Sequence, residues 1–95
     1  ADVIAVRDGK SYLIDCKVCS RGRFPFSRIE DNQHTAMRAW QESGNGTGWF
    51  ALKCEGYIFM LDYDTLKRLS KTQSSISFKD MCFYGRVLEA WVVFA

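Results

Sequence analysis

The chain is poor in the residues that mark several common protein classes. It has one proline, one histidine, four cysteines and no apolar run near the ~18 residues of a membrane-spanning helix. A single histidine cannot complete the usual Cys–His zinc spacings, and only one Cys-x-x-Cys occurs, Cys16 to Cys19. With Cys54 and Cys82 isolated, the cysteines read as small buried thiols in a reducing cytoplasm rather than as zinc ligands or a disulfide frame. No signal-peptide pattern opens the chain. The net charge of +2 is too small to name a partner by itself. Apolar material is plentiful: 47% of residues are hydrophobic, with three Trp, four Tyr and seven Phe, which excludes a disordered chain. The 95 residues make one domain with a modest core. The first residues already read as a strand, with no initiating Met, as expected of an N-terminally truncated piece of a longer protein.

Two short runs organise the rest. Val3-Ile4-Ala5-Val6 and Leu13-Ile14 flank Asp8-Gly9, a strong signal for a two-residue hairpin turn. Counting outward from that turn sets Arg7 against Lys10, Ile4 against Leu13 and Asp2 against Asp15. Alternation then puts Asp2, Ile4, Leu13, Asp15 and Lys17 on one face. Directly opposed like charges are unfavourable, so the two acids need a reason. A divalent cation is the simplest, since Mg²⁺ is commonly held by one or two carboxylates plus substrate phosphates. The alternative is a surface hairpin with solvated charges.

Lys17, Arg21, Arg23 and Arg28 follow in a segment, 17–28, that contains no acid. Such a loop can bind a phosphate backbone or simply be solvated. Ser27 and Glu30 have capping-box spacing, which predicts a helix from about Arg28 to Ser43 with Ile29, Ala36, Met37 and Trp40 inward. Gln33 lies in that apolar stripe. It either satisfies backbone groups or reaches into the acid cluster. Trp49–Cys54 and Tyr57–Leu61 read as strands around a Glu55-Gly56 turn. Asp64 is expected to cap a helix over Thr65–Ser70, and Ser77 a short helical turn through about Phe83. Residues 71–75 are expected to be mobile, and the aromatic and β-branched run at 88–94 to form a strand. The order implies an α/β fold, a mixed sheet with a helix packed on one face.

Asp2, then Asp15-x-Lys17 at the end of the next strand, resembles the PD-(D/E)xK nuclease signature. Phe24-Pro25-Phe26-Ser27-Arg28-Ile29, with Asn32-Gln33 and Met37 beyond it, resembles the Holliday junction resolvases of the RecU type. The resemblance spans about residues 2–69. It implies a restriction-endonuclease-like domain over 1–95, with a further helix and acidic ligand upstream of Ala1. It also implies a Mg²⁺-dependent endonuclease, with Mn²⁺ able to substitute, working as a homodimer on branched DNA in a bacterial or phage setting. By position, Asp2, Asp15 and the Cys16 carbonyl would be metal ligands. Lys17 would orient the attacking water and stabilise charge on the phosphate, and Gln33 would stand near the site. Arg21, Arg23 and Arg28 would hold neighbouring phosphates. Where close relatives carry Glu, this chain has the shorter Asp15. Two alternatives stand beside this: another nuclease of the superfamily acting on flaps or duplex ends, and a non-catalytic DNA-binding module.

Overall fold

The computed structural model describes residues 2–94; the side chains of Asp2 and Phe94 lie outside the described residues. Strands β1 (Asp2–Arg7), β2 (Lys10–Val18) and β3 (Arg23–Pro25) precede helix α1 (Asp31–Trp40). Strands β4 (Trp49–Cys54) and β5 (Tyr57–Asp62) follow, then α2 (Tyr63–Leu69), β6 (Ser75–Ser77), α3 (Phe78–Tyr84), β7 (Arg86–Val87) and α4 (Leu88–Phe94).

The predicted hairpin is present in the predicted register. Asp8 and Gly9 both have positive φ, 51° and 76°, as a type I′ turn requires. The pairing runs from Arg7↔Lys10 through Ile4↔Leu13 to Asp2↔Asp15. Glu55 and Gly56 repeat the turn, at φ 52° and 82°, between β4 and β5. Beyond the second hairpin, β4 lies parallel to β2, with Asp15↔Phe50 and Lys17↔Leu52. The result is a mixed five-stranded sheet in the order β1-β2-β4-β5-β7. A separate ribbon pairs β3 with β6.

Alternation gives each sheet face its own core. Leu13, Phe50, Leu52, Phe59 and Leu61 face one side, where they meet Met37 of α1, Tyr63, Leu66 and Leu69 of α2, and Phe24 and Ile76 of the ribbon. Tyr12, Ile14 and Met60 face the other side and pack on Trp91 of α4. Gly48 permits the first packing. A Cβ there would stand 2.1 Å from Met37 Sδ.

Several local expectations are corrected. The helix begins at Asp31 and not near Arg28. Phe24, Phe26 and Ile29 are all buried, so the chain dips into the core and makes only a 3₁₀ turn at Phe26–Arg28. Ile29 is extended, at φ −83° and ψ 111°, and α1 can start only after it. Its far end stops at Trp40 and loosens into a π turn over Gln41–Asn45, with Gly44 at φ 83°. The cap of α2 is Asp62 rather than Asp64: its carboxylate accepts from Thr65 N at 3.0 Å and Thr65 Oγ1 at 2.7 Å. Residues 71–75 are tied down, with Gln73 N bonded to Leu69 O and Phe26 N to Ser74 O, each at 3.0 Å. The 88–94 segment is helical because Leu88 and Trp91, three apart, must both reach the second sheet face. Packing there overrides the strand preference of Val92 and Val93, which remain exposed.

Candidate active site

The C-terminal half of β2 is flanked by β1 on one side and β4 on the other. A two-residue turn closes on a hydrogen-bonded pair, so strict alternation makes Asp2 and Asp15 a non-hydrogen-bonded pair. Cα atoms of such a pair stand about 4.5 Å apart. The Asp2 side chain, one of the expected ligands, lies outside the described residues. Asp15 is 0% exposed, the only charged side chain among the described residues that is buried. A carboxylate withdrawn from water costs free energy unless charge and hydrogen bonds compensate it.

Two residues further along the same face is Lys17, half-buried, at roughly 6.6 Å of strand rise from Asp15. Cys16 projects to the opposite face and its side chain is exposed, as alternation requires. It could offer the cluster only its backbone carbonyl. The available donors are thus carboxylate and carbonyl oxygens, a set that suits Mg²⁺ or Mn²⁺ better than zinc. Among the described residues, no three His, Cys, Asp or Glu side chains gather in a metal-binding group.

The other expected residues are distributed differently. Gln33 sits half-buried in the first turn of α1, and its Oε1 accepts the Glu30 backbone N–H at 2.9 Å. Its carbonyl therefore caps the helix, which leaves the amide NH₂ as the group to reach a substrate. Arg21 is exposed at the tip of a tight turn, at φ 54° beside Gly22 at 68°, and Ser20 pairs with Arg23 across it. Arg23 donates to Ser75 Oγ at 2.8 Å, which holds it against β6. Arg28 donates to the Val18 carbonyl at the end of β2 and lies over the Phe24 ring, 5.3 Å from its centroid. The basic segment is therefore anchored at the strand end that carries Lys17, with Arg21 outermost.

The cysteine expectation is corrected in part. Cys54 is buried and Cys19 half-buried beside it, but Cys16 and Cys82 are exposed, and all four are free. Burial and the neighbouring Cys54 push the Cys19 thiol up to about 12.

One pairing near the site is not foreseeable from spacing. His34 Nδ1 lies 2.6 Å from Tyr63 Oη, across 29 residues of chain. Burial, aided by Arg38, lowers the His34 pKa, and burial raises that of Tyr63. The two rings form a neutral hydrogen-bonded pair at neutral pH. Tyr63 packs at 6.4 Å from Phe50, the β4 residue in register with Asp15. The lone histidine was the available signal, but nothing in the sequence identifies its partner.

Compared with known proteins, the chain matches no family and no curated sequence. What the structure defines is a mixed α/β domain with helices packed on a five-stranded sheet. Among the described residues, no helix is long and apolar enough to cross a membrane.

Proposed function

We propose that the protein is a metal-dependent endonuclease of the PD-(D/E)xK type that hydrolyses DNA phosphodiester bonds, with branched DNA such as a Holliday junction as substrate. The observation that carries this reading is the hairpin register. It opposes Asp2 to Asp15 and sets Lys17 on the same face, at the strand end that leads into the basic turn. Asp15, with its Asp2 neighbour and the Cys16 carbonyl, would hold Mg²⁺. The bound ion would polarise the scissile phosphate and lower the pKa of a water. Lys17 offsets negative charge that develops on the phosphoryl oxygens. Arg21 and Arg23 contact flanking phosphates, giving salt-dependent, sequence-independent affinity. Arg28, held on the Val18 carbonyl, fixes the loop that presents them.

In this reading the protein works in the cytoplasm of a bacterial cell, either host- or phage-encoded. It acts as a homodimer, whose two centres would cut both strands of a junction symmetrically. The exposed apolar side chains Ile4 and Val6 on edge strand β1 offer a surface for a second copy.

A second reading, a DNA-binding module without catalysis, is favoured by two observations. Asp15 has no exposed surface, and Gln33 already serves a helix cap. Labelled four-way junction and linear duplex, incubated with the full chain in Mg²⁺ or EDTA, separate the two. Paired Mg²⁺-dependent nicks in the junction support a resolvase. Cutting of duplex ends or flaps supports another nuclease of the superfamily. Binding of DNA without cleavage supports the module.

A further inference from the structure

The face of the sheet opposite Asp15 carries a cavity of about 370 Å³. Its lining residues include Tyr12, Trp49 and Trp91, with Lys10 and Arg86 as the charged members. The volume lies in the range of small-molecule sites, about 300–1,000 Å³. The aromatic floor is fixed by edge-to-face packing. Trp91 sits 5.3 Å from Tyr12 and 5.4 Å from Trp49, at interplanar angles of 74° and 67°. Lys10 stands 5.3 Å from the Tyr12 ring centroid. Arg86 reaches the same face because it pairs with Met60, a residue of that second core.

The remaining wall is the glycine-rich connection after α1. Gly46, at φ 80°, lines the cavity, and a Cβ added there would meet nothing within 4 Å. Among the described lining residues there are two cations, Lys10 and Arg86, and no acid, a set that suits an anion. Three aromatic rings select a flat, π-rich group. Together they describe a ligand with an aromatic ring system on one side and a phosphate on the other.

We propose that this cavity binds a nucleotide, its base against Trp49 and Trp91 and its phosphate between Lys10 and Arg86. Aromatic side chains accept any base by stacking, while cations hold the backbone charge. The cavity lies back to back with the Asp15 centre, so it is a second site and does not depend on the nuclease reading. The nucleotide can be free, or it can be an unpaired residue of a DNA strand.

Tryptophan fluorescence in EDTA tests this without hydrolysis. The full chain is titrated with deoxyadenosine monophosphate, with a (dA)₁₂ strand, and with a twelve-residue abasic strand of the same charge. The expected result is saturable quenching by a base-bearing ligand, at least 10-fold tighter than any effect of the abasic strand. Tighter binding of (dA)₁₂ than of the monophosphate assigns the site to a strand; equal binding per site assigns it to a free nucleotide, and either supports the proposal. Lys10→Glu and Arg86→Glu should each weaken binding at least 10-fold while circular dichroism stays unchanged. Trp49→Phe should reduce the quench. Absence of saturable quenching overturns the proposal, as does equal binding of the abasic strand or unchanged binding in both charge-reversal variants. Cleavage plays no part in these readouts, so loss of the nuclease reading would leave this result standing.

Discussion

Replacing Asp15 by Asn tests the proposed metal centre through stability alone, without any need for turnover. The change keeps the shape of a side chain that is 0% exposed and removes its charge. If Mg²⁺ binds the folded chain there, it stabilises by mass action, about 2.7 kcal/mol at 100 times its dissociation constant. For a domain of this size, 1 kcal/mol moves Tm by roughly 4–8 °C, so saturation should raise Tm by roughly 11–22 °C. Differential scanning calorimetry in EDTA and across a MgCl₂ series, at constant ionic strength, reads the shift directly. In Asp15→Asn the proposed carboxylate ligand is gone, and the shift should fall to under a quarter of the parent's. Lys17→Ala should keep the shift, because the lysine is not a ligand. A parent with no Mg²⁺-dependent shift, or an equal shift in Asp15→Asn, would rule out Mg²⁺ binding at Asp15.

Three further outcomes follow from packing and titration. Gly48→Ala brings a Cβ within 2.1 Å of the buried Met37 Sδ and should cost about 1–3 kcal/mol, read as a lower urea midpoint at unchanged m-value. His34 has a folded-state pKa below its ordinary 6.5, so the unfolded chain binds its proton first. Its contribution is complete above 6.5 and is lost as pH falls through the depressed value, so denaturant midpoints should decline on the acid side, less so in His34→Gln. Ellman's reagent at pH 8 should modify the exposed Cys16 and Cys82 quickly, and Cys19 and Cys54 only slowly. Cys19 is half-buried and its thiol is pushed to about 12, so little thiolate is present at that pH.

Legibility in the sequence followed the range of the interactions involved. Asp8-Gly9 and Glu55-Gly56 are local signals whose positive-φ demand forces one turn and therefore one register. That is why the opposition of Asp2 to Asp15 and the shared face of Lys17 could be counted out. The start of α1 could not, because Ser27 has a good capping residue's chemistry but lies between two residues, Phe26 and Ile29, that the core requires. The same competition converted 88–94 into a helix: the demand of the Tyr12–Trp49 face for Trp91 is a long-range fact. Gln33 illustrates the ambiguity best. Its inward spacing was visible, but its bond to the Glu30 N–H appears only once the helix start is known. The His34–Tyr63 pair and the aromatic cavity depend on contacts across the fold and left no local trace.

Asp15 and Lys17 are proposed to carry out phosphodiester hydrolysis. Single-turnover cleavage of a labelled four-way junction, with protein in excess and saturating Mg²⁺, tests it most directly. Removing one positioned charge-stabilising donor costs about 10²–10³ in rate, so Lys17→Ala should slow the cleavage step by that factor while junction binding holds. Cleavage by Lys17→Ala at the parent's rate would remove Lys17 from any hydrolytic role, and a parent that binds the junction and never cuts it would remove both Lys17 and Asp15.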